Sequence, residues 1–358
     1  MFIKMYLLVS VSFFVVLLPL KAVTFVNADD SIKQKSPDTP IDTGYIGSFY
    51  DRLCITMVGV QKGLNMVIHN PDPKIDNLRY RPNTAYSWGV GVDYKWFSLE
   101  LTRPIQSFFG YDPKKGTTKN SSLKLAYTGK KTWASIIGTY YRGFYISNPT
   151  LLDEKWFEKY DYYPYRRDIS TFMLFADFKY AFNSTKYSHM ATLWQLEHQK
   201  RSAGSLVTGL SFALFESKGK WSYVPDQLWD RFPQETRYKG STMIDLSYNV
   251  GYVHTFVFKK RSFVHLGLVP GIALQARKVS LMDYSSDKFQ EQLVFSYEAR
   301  IALGYNGTHY YFGLTSSINE FSDFYVKGGY LSFNYTYFRI YFGRRFKMPF
   351  KVPFIDRN

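Results

Sequence analysis

The stretch TMIDLSYNVGYVHTFVF, residues 242–258, is apolar at nearly every even position from Ile244 to Phe258. Asp245, Ser247, Asn249, Gly251 and Thr255 lie between, and His254 is the one polar side chain on the apolar phase. A period of two over this length is a strand signal, because a helix gathers residues three and four apart onto one face. The pattern recurs along the chain. YSWGVGVDYKW sets Tyr86, Trp88, Val90, Val92 and Tyr94 against Ser87, Gly89, Gly91 and Asp93, and TFMLFADFKYAF sets Phe172, Leu174, Phe178, Tyr180 and Phe182 against Thr171, Asp177 and Lys179. SFVHLGLVPGIALQA opposes Val264, Leu266, Leu268, Ile272 and Leu274 to His265, Gly267, Gly271 and Gln275. LVFSYEARIALGY opposes Leu293, Phe295, Tyr297, Ile301, Leu303 and Tyr305 to Ser296, Glu298, Arg300 and Gly304.

Length decides between kinds of β protein. Soluble strands run mostly about 5 to 6 residues, whereas a tilted strand crossing a bilayer needs about 9 to 11. Several runs exceed that, and their polar faces mix Gly, Ser, Asn and paired charges, as a hydrated lumen would. Within lipid only a closed sheet satisfies every backbone group, so the expected fold is all-β, a transmembrane antiparallel up-and-down β-barrel. Aromatics make up 19% of the 358 residues, which fits both β-rich packing and the girdles of a membrane barrel.

The connections fall into two classes. Short polar turns occur at 129–131, 259–262 and 306–308, the last an Asn-Gly hairpin signal. Long segments occur at 103–120, 146–168, 217–240, 278–290 and 319–329. About thirteen strands are legible from 52 to 346, while a bacterial barrel with both termini on one side needs an even number. Either LNMVIHN (64–70) is a separate strand, giving fourteen, or two runs merge, giving twelve.

The N-terminus has a different character. Lys4, the apolar run at 7–20 and VNA ending at Ala28 read as a cleaved signal peptide over 1–28, with cleavage after Ala22 as the alternative. Residues 29–48, with Pro37 and Pro40, read as a flexible periplasmic leader, 49–346 as the barrel and 347–358 as a C-terminal tail. Removing 1–28 takes away Lys4 and Lys21 and no acid, so the net charge falls from +16 to 16 − 2 = +14. With an export signal present, that excess points to anionic lipid rather than to nucleic acid. Cys54 is the single cysteine, so neither an intrachain disulfide nor a cysteine metal site can form.

Four segments resemble one family: YRPNTAYSWGVGVDYKW (80–96), KLAYTGKKTWASIIGTYYRGFYI (124–146), YRRDISTFMLFADFKYAFNSTKYS (165–188) and QKRSAGS (199–205). They are similar to the domain of unknown function 4421, a family of predicted outer-membrane proteins of Gram-negative bacteria. The resemblance spans most of 45–346. It implies location in the cell outer membrane and a barrel fold, and is silent on chemistry.

Site candidates follow from the inward phase. Asp93, Asp177, Lys179, Asp245, Asn249, His265, Glu298 and Arg300 are expected to face the lumen as a polar network. That network either plugs the barrel with mutually satisfied charges or lines a small polar pore. His265 with Asp245 is the best acid–base pair, since both face inward on neighbouring strands. Ser202 and Ser205 follow His198, but no G-x-S-x-G elbow surrounds them. No phosphate cradle or H-E-x-x-H motif is present, so no cofactor, metal or catalytic residue is assigned. The expected role is structural or that of a small-solute channel, with outer-membrane lipid and the barrel-assembly machinery as partners. The alternative is a barrel enzyme acting on lipid or surface polymer.

Overall fold

The computed structural model describes residues 41–84, 86–104, 111–282, 287–323 and 330–348. The expected signal peptide, the leader up to residue 40 and the tail beyond 348 lie outside the described residues. In chain order the strands are β1 (Ile46–Ser48), β2 (Arg52–Ile68), β3 (Leu78–Arg81), β4 (Ser87–Tyr94) and β5 (Phe97–Pro104). They continue with β6 (Lys119–Thr128), β7 (Thr132–Ile146), β8 (Tyr165–Ala181), β9 (Glu197–Gln199) and β10 (Ala203–Lys218). The last five are β11 (Tyr238–Phe258), β12 (Ser262–Leu281), β13 (Lys288–Asn306), β14 (Tyr310–Asp323) and β15 (Leu331–Lys347).

Twelve of these close into a ring, all antiparallel. Its order is β2, β4, β5, β6, β7, β8, β10, β11, β12, β13, β14 and β15, with β15 pairing back onto β2 from Leu331↔Ile68 to Lys347↔Arg52. The fold is therefore a closed up-and-down barrel, and the strand number is twelve. LNMVIHN is not a separate strand, because residues 64–68 complete β2. β3 sits outside the ring order and bridges the ends of β2 and β7.

Arg52 and Lys347 pair at one rim, here called proximal, where Lys95–Trp96, 129–131, 259–261 and 307–309 are short connections. Lys259 and Lys260 adopt φ of 48° and 64°, the two left-handed residues of a type I′ turn. The long connections lie at the other, distal rim. One exception, 182–202, joins β8 to β10 at the proximal rim. Residues 41–48, expected as the end of a flexible leader, dock onto that segment: Asp42 N donates to Thr185 O (3.0 Å) and β1 pairs with β9.

The outward phase carries the apolar surface. Exposed large apolar residues occur on all twelve ring strands, among them Met57, Val90, Leu101, Leu125, Leu210 and Val250. Phe182, Phe258, Tyr310, Phe346 and Tyr127 gather near the proximal turns, as in an interfacial aromatic girdle. Exposing this much apolar area on every side is unfavourable in water, so the surface is that of a barrel spanning a bilayer. Gly251 keeps the wall closed opposite Val269: a Cβ there would come within 2.2 Å of Leu268 O.

The polarity of the two faces inverts toward the distal rim. On β2 the outward residues pass from Ile55 and Met57 to Gln61, Asn65 and His69, while the inward ones become Leu64, Met66 and Ile68. On β15 they pass from Phe342 and Ile340 to Thr336, Asn334 and Ser332, with Tyr335, Phe333 and Leu331 turned inward. This inversion is why residues 64–70 looked like a strand of their own.

Candidate functional site: a closed lumen

The proximal mouth is filled by the 182–202 connection. Its short helix, His189–Leu193, starts at Ser188, whose Oγ accepts from Ala191 N at 3.0 Å. Asn306 Nδ2 donates to Ala191 O (3.0 Å) and Glu197 O (2.8 Å), while Arg345 Nη2 donates to Asn306 Oδ1 (2.6 Å). The His189 ring stacks on Trp133 at 4.3 Å. Burial without a charged partner drives the His189 pKa down to about 3. Burial raises Glu197, against the lowering effect of its hydrogen bond from Ser188. Such a long proximal connection has no alternation to betray it.

Above the plug the lumen narrows to a charged layer. Lys179 on β8 bridges to Glu298 on β13, with three ring strands between them, and reaches Asp177 at 3.5 Å. Arg300 Nη2 pairs with Glu298 Oε1 at 2.6 Å, and Asp177 also accepts from Ser135 Oγ. Asp93 lies across the layer and accepts from Ser98 Oγ at 2.5 Å. Five of the expected residues, Asp93, Asp177, Lys179, Glu298 and Arg300, thus share one region.

Asn249 lines the small cavity beside Lys179 and Glu298, while Asp245 and His265 make their hydrogen bonds elsewhere. Asp245 accepts from Gln275 Nε2 (2.7 Å), and Asn249 Nδ2 donates to Ser211 and Ser247 Oγ (3.0 and 3.1 Å). His265 pairs instead with Thr255 Oγ1 at 3.1 Å. The expected His265–Asp245 pair does not form. In the β11–β12 register His265 faces Thr255 and Asp245 faces Gln275, ten residues apart, or about 33 Å along the strand.

The layer contains residues that the sequence pattern did not single out. Arg339 Nε donates to Glu100 Oε2 at 2.9 Å, Tyr337 Oη donates to Glu100 Oε1 at 3.0 Å, and Lys124 Nζ lies 5.3 Å from the centre of the Tyr337 ring. Each of these charges is flanked by outward apolar side chains: Leu99 and Leu101, Phe338 and Ile340, Leu123 and Leu125. A lone charge between two lipid-facing residues is the signal that would have found them.

Distally the inward face turns aromatic. Phe215 on β10 stacks on Phe333 of β15 at 5.5 Å, from nearly opposite walls. Tyr80 Oη donates to Tyr223 O at 2.5 Å, and Tyr141, Phe144 and Phe232 are fully buried around them. Among the described residues the inward Ser211, Asn249 and Ser296 are buried against one another instead of facing a wide hydrated lumen. Between the Trp133–Trp194 layer and Phe175 remains a chamber of about 60 Å³. That is room for a few waters.

Hydrolytic geometry is not assembled around the candidate serines. Ser205 Oγ donates to Leu206 O (2.6 Å) and accepts from Asn183 N, while His198 Nε2 bonds Lys260 O (2.7 Å). Ser332 Oγ meets His69 Nε2 at 2.9 Å on the outer surface near the distal rim, and that ring stacks on Tyr330. Among the described residues no carboxylate bonds the His69 ring. No cluster of three or more His, Cys, Asp or Glu suited to a metal occurs among them either.

The beta domain of the Bordetella autotransporter BrkA is similar in structure at 11% identity and a TM-score of 0.33, covering 84% of this chain and 100% of that one. The translocator domain of autotransporter NalP from Neisseria meningitidis matches at 10% identity and TM-score 0.33, covering 82% and 88%. The Pseudomonas putida toluene transporter TodX matches at 7% identity and TM-score 0.26, covering 83% and 90%. At these scores the likenesses decide nothing about the site. A search of the curated proteins returns no match. The model of the family described as domain of unknown function (DUF4421) matches residues 40–346, most of the chain, and the protein belongs to that family.

Proposed function

We propose that the protein is an outer-membrane β-barrel with a self-occluded lumen, acting as a structural element of that membrane and not as an open channel. The observation that carries this is the Phe215–Phe333 stack across the lumen, with the 182–202 plug below it. The apolar outward belt supports a bilayer setting. Both strand termini lie at the short-turn rim, which supports a periplasmic proximal end and exposed distal loops. The signal-like segment at 1–28 supports export, and the barrel then requires outer-membrane lipid and the assembly machinery as partners.

Two measurements test the proposal. Protein extracted with the outer membrane should migrate differently on gels before and after boiling, since detergent alone does not open a closed ladder. In planar bilayers it should show no stable conductance steps. Regular open-channel steps from the unmodified protein would overturn the occluded reading, and recovery in the soluble periplasmic fraction would overturn the membrane reading.

A further inference from the structure

The outward face of β5, β6 and β7 ends distally on positive charge. On β5 the exposed Leu101 leads to Arg103, on β6 Leu123 leads through Ser121 to Lys119, and on β7 Tyr140 leads to Arg142. All three cations are exposed and share the outward phase of the apolar residues below them. Lys119 and Arg142 stand directly opposite each other in the β6–β7 register. Arg103 lies one step beyond the Thr102↔Ser122 pair, which sets it diagonal to Lys119. On one face of a sheet, opposite residues have Cβ atoms about 4.5 to 5.5 Å apart and diagonal ones about 7 to 8 Å.

The surrounding acids are engaged elsewhere. Strands β4 to β7 carry Asp93 and Glu100, both buried toward the lumen. Asp168 on β8, two residues from the Ser170 that faces Arg142, accepts from Arg166 Nε and Nη2 at 2.8 Å and from Lys220 N at 2.9 Å. Asp112 in the β5–β6 connection pairs with Lys115 at 3.1 Å. Among the described residues these ion pairs include none of Arg103, Lys119 and Arg142.

Like charges directly opposite on a sheet repel, so the Lys119–Arg142 pair destabilises the bare barrel and an anion between them relieves it. We propose that this patch docks the phosphate headgroup of an anionic lipid in the exterior leaflet, with the acyl chains lying on Leu101, Leu123 and Tyr140. The two guanidinium groups offer forked donors that match phosphate oxygens, and the lysine adds a point charge. Three cations suit a phosphate monoester, which carries up to two negative charges, better than a diester, which carries one. The patch caps an apolar run, so one amphiphile satisfies both surfaces, whereas a soluble phosphate would use the charge alone. The inference rests on reading the protein as an outer-membrane barrel with its distal rim outside.

The test uses the full chain folded in a neutral detergent, with bound lipid counted by native mass spectrometry. Phosphatidic acid should be retained in preference to phosphatidylglycerol, and inorganic phosphate should not displace it. Lys119→Gln and Arg142→Gln should each weaken phosphatidic acid binding about fivefold, while Lys130→Gln at the proximal rim should not. In phosphatidylcholine vesicles each distal variant should unfold in urea at or above the unmodified midpoint, and should lose the rise that added phosphatidic acid gives the unmodified protein. An equal loss from Lys130→Gln would reduce the patch to diffuse attraction by net charge and overturn the site. Displacement by inorganic phosphate at equal concentration, or no preference among the lipids, would overturn it too. A protein whose gel migration is unchanged by boiling would overturn the barrel reading and the site with it, whereas failed lipid selection in a heat-modifiable barrel overturns the site alone.

Discussion

Lys179→Met tests whether the lumen is dry. The side chain crosses from β8 to Glu298 on β13, and the two are 4% and 13% exposed. Removing one partner of a buried ion pair strands the other and costs about 3 to 5 kcal/mol, whereas an exposed pair contributes about 0 to 1 kcal/mol. Glu298 keeps Arg300 at 2.6 Å and Asp177 keeps Ser135, so part of the loss is offset. The expected cost is then at the lower end, about 3 kcal/mol. The methionine retains most of the aliphatic bulk, so cavity formation adds little.

Urea unfolding in lipid vesicles, followed by tryptophan fluorescence and by the gel shift of the folded form, measures this cost. The companion Glu298→Gln removes the opposite charge, and the double variant restores the balance. The double variant should be less destabilised than the sum of the singles, with a coupling of about 1 to 3 kcal/mol. If Lys179→Met cost less than about 0.5 kcal/mol, the pair would be screened by water and the occluded lumen refuted.

Substitutions at three further places probe other parts of the barrel. Val250, near the middle of the outward apolar run and 45% exposed, should lose about 2 to 4 kcal/mol on change to Arg while accepting Phe, read by folding into vesicles. Damage from Val250→Phe equal to that from Val250→Arg would show that this face packs against protein. Lys259→Asn with Lys260→Gly, at φ of 48° and 64°, should stabilise the hairpin by about 0.5 to 1 kcal/mol in the same assay. His189, lowered by burial to about 3, is neutral in the folded plug while the unfolded imidazole titrates near 6.5. Stability should thus fall as pH drops from about 6.5 toward 3. His189→Phe, which keeps the ring against Trp133, should flatten that part of the profile in hydrogen exchange of 183–202.

The alternation in residues 242–258 was sufficient to identify the barrel and the outward face of β11, because lipid tolerates only apolar side chains over many consecutive rungs. It was not sufficient for the lumen. Asn249 reads as a hydrated position, yet it is 6% exposed among Ser211, Ser247 and Ser296, so the interior there is packed polar protein. Phe175, Met173 and Phe215 occupy the inward phase of strands that also have an apolar outward phase, so two apolar faces overlie one another and the period is blurred. Register was equally hidden. His265 and Asp245 share a phase on adjacent strands, but the Lys259–Lys260 turn fixes their pairing ten residues apart. Neither the 182–202 plug nor the β1–β9 contact has a repeating pattern to detect.

The inversion along β2 implies that one strand passes through two solvents. Proximally its outward side chains meet lipid, and distally they meet water while the inward ones form a core of the soluble kind. Leu64 is fully buried in that distal core, and its neighbour Asn65 faces outward, donating to Asn334 Oδ1 at 2.8 Å. Leu64→Ala should therefore cost about 2 to 5 kcal/mol through lost burial and the cavity left behind. Met57, 62% exposed on the proximal outward face, gives way to lipid, so Met57→Ala should cost under about 1 kcal/mol. Asn65→Leu separates the alternatives further. If residue 65 faced lipid, leucine would stabilise the barrel by replacing a polar group in hydrocarbon. In water it should leave stability in vesicles within about 0.5 kcal/mol and make the detergent-free protein more prone to associate. A clear gain in vesicle stability from Asn65→Leu would place the lipid boundary above residue 65, and the two-solvent account of β2 would be wrong.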